Sequence, residues 1–230
     1  MSQSYPWAPP APASLPVRGR PERAAVNRIF CVGRNYAAHA REMGQDPERE
    51  PPFFFTKPAD AVVDTGADIP YPSMTADLHH EIELVVAIAE GGADIAVDQA
   101  LAHVFGYGVG VDLTRRDLQA EAKDKGRPWD FAKGFDLSAP MGPLAPVSRI
   151  GHPSQAAIHL SVNGKTRQSA DISDMIWSVP EVIAEASRYI ALAPGDLIFT
   201  GTPAGVGPLV RGDAVEGAVA GVGEVRFRLV

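Results

Sequence analysis

Two acidic residues stand at the head of an otherwise apolar run, His79-His80-Glu81-Ile82-Glu83-Leu84-Val85-Val86-Ala87-Ile88. The run is rich in β-branched residues and closes at Glu90-Gly91-Gly92, which predicts a buried strand. Side chains alternate faces along a strand, so Glu81 and Glu83 point the same way. A Glu-x-Glu pair on a strand ordinarily lies on a solvated face. Here Val85 and Ala87 continue that face as an apolar one, so the two charges need partners. Asp112, which closes a second apolar run from Val104 to Val111, is the third acid. Acids on one strand aim side by side rather than flanking a bond, which disfavours a two-carboxylate glycosidase. Three converging carboxylates instead make a nest for a hard divalent cation, and all-oxygen ligation favours Mg2+, Mn2+ or Ca2+ over zinc.

Two further groups bear chemistry. His39 and Glu42 lie three apart in Asn35 to Gly44, where alanines favour a short helix capped by Asn35 and stopped by Gly44. They share a helix face. A histidine so placed is, by itself, more often a surface residue than a catalyst. Lys133 is embedded in Trp129-Asp130-Phe131-Ala132-Lys133-Gly134-Phe135, where it either snorkels or faces an anionic ligand. Cys31, in Ile29-Phe30-Cys31-Val32, reads as core.

The elements that must position these groups follow from pattern. Strands are expected at Arg28 to Val32, Val104 to Val111, Ile158 to Val162 and Asp196 to Phe199, and Phe53 to Pro58 is a short apolar run ending in a lysine and a proline. A hairpin is expected to turn at Asn163-Gly164, and another closes the chain around Gly221-Val222-Gly223. Glycines alternate at Gly106, Gly108 and Gly110, the spacing of one strand face pressed against another backbone or a ligand. Thr114 to Asp117 resembles a capping box opening a helix to about Lys125, and Pro180 to Leu192 is the strongest helix. Asp46 to Pro52 is charged and Pro-rich, a mobile surface element by composition. Many short strands and a few helices, not in strict alternation, predict a β-rich α+β fold.

At 230 residues the chain suits one large domain, with residues 1–25, rich in Pro and Ala, as an N-terminal extension to a catalytic unit over 26–230. The extension is expected to lie extended, with Trp7 as an anchor. A net charge of −7 argues against non-specific nucleic-acid binding. No apolar stretch is long enough to span a bilayer, and the N-terminus is unlike a secretory signal. One cysteine forbids an internal disulfide and fits a cytoplasmic location.

Taken in order, Gly33-Arg34-Asn35-Tyr36 with His39 and Glu42, Glu81-Ile82-Glu83, Asp112 through Gln119, Lys133, and Thr200-Gly201-Thr202-Pro203-Ala204-Gly205-Val206-Gly207 resemble the fumarylacetoacetate hydrolase family across residues 28 to 228. The resemblance implies a mixed β-roll with a few peripheral helices, a Mg2+ or Mn2+ ion and a homodimer. The run from Gly33 through Phe55 and the segment Asp174 to Pro180 are most similar to the branch that cleaves fumarylpyruvate in gentisate breakdown.

That resemblance implies hydrolysis of the C–C bond of an acylpyruvate, a small anionic 2-oxo acid. Glu81, Glu83 and Asp112 would hold the metal, while His39 and Glu42 activate water. Lys133 and Arg34 would add positive charge for the substrate, Lys133 or Gln119 would stabilise the oxyanion, and Thr202 would bind the substrate carboxylate. Rival expectations are oxaloacetate decarboxylation, which needs no water attack, dienedioate isomerisation, and a Ca2+-stabilised binding module, which would not need His39 and Glu42 paired.

Overall fold

The structure is a computed structural model and describes residues 4–42 and 50–230. The expected central strand forms as Ile82–Ile88, buried along its whole length. It pairs antiparallel with Val104–Val111, Ile82 opposite Val111 and Glu83 opposite Gly110. The Asp112 N–H donates to Glu81 O at 2.8 Å, which extends that register by one step. Asp112 thus stands across from Glu81, on the face that also carries Glu83.

Around this pair an eight-stranded sheet is built. Leu197–Phe199 flanks Ile82–Ile88 and joins it to Ile29–Gly33 and Phe53–Lys57. Ala139–Met141 and Val62–Asp64 extend the other side, and Ala145–Pro146 pairs with Val104–Val111 off the main path. A five-stranded sheet runs Lys165–Asp171, Ala157–Val162, Ala214–Val219, Gly223–Leu229, Ala67–Ile69. Most pairings are antiparallel, as the mixed β-roll requires. Between the two sheets lies the main core, in which Ile82, Leu84 and Val86 meet Ile158, Leu160, Val215 and Phe227. Val85 and Ala87 point the other way, into a second cluster with Ile29, Cys31, Leu197 and Phe199. The glutamate side of the strand is therefore apolar beyond the two acids. A small third sheet, Thr114–Arg115, Leu78–His80, Gly207–Leu209, carries the chain between the acids and the glycine-rich turn.

Local signals account for the connections. Asn163 and Gly164 both take positive φ, 51° and 72°, the mirror-image turn that suits strand twist. The helix Val179–Tyr189 opens with a capping box between Ser178 and Glu181 and a proline in its first turn. Two expected caps do not form. Asn35 spends its side chain on Trp177 and Thr200 instead of the helix Ala37–Glu42. Thr114 lies in a short strand, the helix begins at Arg116, and Asp117 accepts from the Thr75 hydroxyl and the Ala76 N–H. Tertiary partners outcompete the local bond in both cases. Gly44 and residues 46–49 lie outside the described residues.

The N-terminal stretch contributes a small hairpin, Ser14–Pro16 with Arg23–Ala25. Leu15 is fully buried in the second cluster, while Trp7 is exposed. Among the described residues no helix is long and apolar enough to cross a membrane.

The alternating glycines are pressed against the neighbouring strand and a ring rather than a ligand. A Cβ on Gly106 would meet Ala145 O at 2.3 Å, and one on Gly110 the Phe199 ring at 2.7 Å. On Gly108 it would meet only the side-chain ends of Leu144 and Met141, at 3.1 Å. We expect Gly106→Ala to lose about 1–3 kcal/mol in urea unfolding, since backbone cannot yield as side chains do, and Gly108→Ala clearly less. Equal losses would show that this packing does not set the cost.

Candidate metal centre and cavity

Oxygen atoms of Glu81, Glu83 and Asp112 lie within 4.8 Å of one another, and all three residues are buried. Such crowding demands cations. Lys133 Nζ donates to Glu81 Oε2 at 2.7 Å, Asp112 Oδ2 at 2.6 Å and Thr114 Oγ1 at 2.7 Å, so its three N–H groups are all committed. Burial disfavours its charge, but Asp112 and Glu81 outweigh that and raise its pKa. Arg116 pairs with Glu81 Oε1. Burial works against the Glu81 charge as well, yet Lys133 and Arg116 hold its carboxyl well below the usual range. Lys57, fully buried, stands 2.8 Å from Asp112 Oδ1 and is braced by the carbonyls of Leu113 and Lys133.

Glu83 is treated differently. Among the described residues no cation pairs with it, and it accepts the Gly201 N–H at 2.6 Å. Burial, then Asp112 and Glu81, push its carboxyl well above the usual range. Asp112 Oδ1, although beside Lys57, accepts no aligned hydrogen bond. An under-compensated buried carboxylate beside an unsatisfied oxygen is what a hard dication would relieve, so the residues fit such an ion.

Two of the acids, Glu81 and Glu83, line a small cavity of about 40 Å³, together with Arg34, His39, Gln119, Lys133 and Thr202 among others. Of the residues expected from sequence, Asp112 lies behind this lining, and Glu42 stands behind His39. The His39 Nδ1 is 3.3 Å from Glu42 Oε2. A carboxylate only accepts, so Nδ1 carries the proton and Nε2 is the bare nitrogen. Glu42 is fixed in turn by the Gly205 N–H, 3.1 Å from both its oxygens. Gly201 and Gly205 both hold φ near +97°, and a Cβ on Gly205 would strike Arg167 O at 2.1 Å. One turn thus donates to Glu83 at one end and to Glu42 at the other.

Several contributors escaped the sequence reading. Arg116 is oriented by three acceptors: Glu81, Gln119 Oε1 at 2.6 Å and His79 Nδ1 at 3.3 Å. His79 donates from Nε2 to Asp77 and is neutral, its pKa lowered by burial and by Arg116. Gln168 is a buried hub. The Ile82 N–H fixes its Oε1 and the Pro203 carbonyl its Nε2. With that orientation set, His80 Nδ1 donates to Oε1, and Thr202 Oγ1 accepts from Nε2 at 2.8 Å. Among the described residues the Thr202 hydroxyl donates to no acceptor, and it lines the cavity. Lys57 carried no more signal than a lysine closing an apolar run. Gln168 carried none, because its worth depends on strands far apart in the chain. Burial raises the Cys31 thiol pKa well above its ordinary value, and Cys31 stays core as expected.

Comparison with known proteins shows what the whole chain is similar to. A crystal structure of fumarylpyruvate hydrolase from Pseudomonas aeruginosa, in complex with Mn2+ and pyruvate, is 56% identical with a TM-score of 0.97, covering 99% of each chain. A fumarylpyruvate hydrolase from a Ralstonia species is 45% identical over 78% of this chain and 93% of its own length. A mitochondrial oxaloacetate tautomerase from Mus musculus is 42% identical over 87% of this chain and 90% of its own. Residues 28–230 match the family described as fumarylacetoacetate (FAA) hydrolase C-terminal, and the chain belongs to the fumarylacetoacetate hydrolase family.

Proposed function

We propose that this protein hydrolyses the C–C bond of an acylpyruvate, with fumarylpyruvate, which yields fumarate and pyruvate, as the substrate that suits it best. The observation that carries the reading is the His39–Glu42 pair, anchored by Gly205 and facing the same cavity as the acid triad. The pair supplies the general base that water needs for attack on a carbonyl, beside the acids that would hold the metal. The relative solved with Mn2+ and pyruvate supports the product end of the reaction.

Glu81, Glu83 and Asp112 would hold a divalent ion, Mn2+ or Mg2+, which supplies Lewis acidity to the 2-oxo acid end. Thr202 donates its free hydroxyl proton to the substrate carboxylate, and Arg116 adds positive charge beside it. His39 Nε2 takes a proton from water as the water oxygen attacks the distal carbonyl, while Glu42 holds the imidazole and balances its charge. The oxyanion falls to Gln119 Nε2, because Gln119 Oε1 is engaged by Arg116 and Lys133 has no donor to spare. Collapse of the adduct breaks the C–C bond, and its electron pair leaves with pyruvate as the enolate. The proton held by His39 then returns to that carbon, releasing pyruvate, and the acyl half leaves as a carboxylic acid that gives its remaining proton to solvent.

The same reading includes a homodimer, a cytoplasmic location and a place in gentisate breakdown. An open groove bordered by Val17, Ala24, Val26, Ala87, Phe105 and Leu197, on the sheet face opposite the main core, supports the dimer. Sedimentation at micromolar concentration should show twice the 24.4 kDa chain mass. Oxaloacetate chemistry is the second reading, favoured by the tautomerase relative, and product analysis on both substrates separates the two.

Two substitutions test the roles. Glu83→Gln removes the one ligand without a cation partner, so Mn2+ binding and hydrolysis should be lost together; wild-type Mn2+ affinity by calorimetry would refute the ligand assignment. Glu42→Gln should slow acylpyruvate hydrolysis by about 10²–10⁴-fold while Mn2+ and oxalate binding stay at wild-type levels. Parallel loss of binding and rate would make Glu42 structural.

A further inference from the structure

The cavity has a cationic end that the steps above leave unused. Arg116–Asp124 is a helix along its wall, and Arg116, Gln119 and Lys123, at i, i+3 and i+7, all face in. Arg116 and Gln119 belong to the acid end. Lys123 stands two turns further on, about 10 Å along the axis. Its ammonium lies over the Trp129 ring, 5.1 Å from the centroid. Arg34 lies over Phe53 at 4.9 Å, and the two rings meet edge to face at 5.4 Å. Arg34, Phe53 and Trp129 also border the open cleft that leads out past Arg127. The buried triad is thus the floor of the cavity, and the two ring-borne cations are at its mouth.

Neither cation has a carboxylate partner among the described residues. Burial and the nearby Arg116 lower the Lys123 pKa, so the neighbourhood is already rich in positive charge. At the floor, Lys57, Lys133 and Arg116 equal the three acids in number, although they pair only with Glu81 and Asp112. The charge of a bound dication and of both mouth cations is therefore in excess. A 2-oxo carboxylate and an enolate answer the dication, and a further anionic group is needed for Lys123 and Arg34.

We infer that Lys123, with Arg34, binds a carboxylate at the far end of the acyl group, so that the enzyme selects acylpyruvates whose acyl half is itself an acid. The aromatic faces hold both cations without neutralising them, and leave them as donors toward the cavity. The inference rests on the acylpyruvate reading for what the floor binds, and it makes Lys123 a specificity residue.

The test uses the Mn2+-loaded protein and two six-carbon probes, 2-oxoadipate and 2-oxohexanoate, which differ in the distal carboxylate. By calorimetry the wild type should bind 2-oxoadipate about 10–100-fold more tightly, the worth of a charge-assisted contact. Lys123→Met should abolish most of that preference and leave 2-oxohexanoate and oxalate binding unchanged; Lys123→Arg should restore it. In kinetics, Lys123→Met should lower kcat/KM for fumarylpyruvate by a similar factor and spare acetylpyruvate. Equal weakening of both probes, or a wild type that does not discriminate, overturns the proposal. A wild type that hydrolyses neither acylpyruvate yet discriminates the probes would sink the hydrolase reading and leave the carboxylate site standing.

Discussion

Mutual repulsion among three buried carboxylates governs the centre of this molecule. Two unit charges 4 Å apart repel by about 4 kcal/mol at an effective dielectric of 20, comparable to a large share of a domain's net stability. The fold answers with Lys133, Lys57 and Arg116, and each of these is braced in turn. Lys57 leans on two backbone carbonyls, Arg116 on His79 and Gln119, and Lys133 on Thr114. The polar shell around the cavity is thus a consequence of the triad. Glu83 alone is left to a backbone N–H, and there a dication would complete the balance.

How much of this was legible in the sequence follows from the range of the forces involved. The triad could be read because two of its members share a strand and the third sits one register step across the neighbouring strand. Val85 and Ala87 revealed that the face was dry. His39 and Glu42 could be read because helix spacing is local. Lys57 and Gln168 could not, since their partners come from strands joined only in the folded sheets. Asn35 and Thr114 were misjudged as caps for the same reason: a distant acceptor or donor outbids the nearby backbone. Arg116 was hidden in plain view. It sits in the expected helix, but its role appears only when Glu81 is placed against it.

In the proposed reaction, chemistry and selectivity divide along one helix. Its first turn carries Arg116 and Gln119, beside the acids, and its last turn carries Lys123, at the mouth. The aromatic pair Phe53 and Trp129 belongs to the second group although Phe53 lies on a strand of the large sheet. Substitutions at the mouth can therefore retune the acyl group without disturbing charge balance at the floor.

The turn from Thr200 to Gly207 has a wider bearing. Its Gly201 amide is tied to the acid strand and its Gly205 amide to the short helix bearing His39. The helix is therefore a passenger on the turn, whereas the triad is built into the sheet. A change of backbone at Gly205 would therefore shift the His39–Glu42 pair while the three acids keep their places in the sheet.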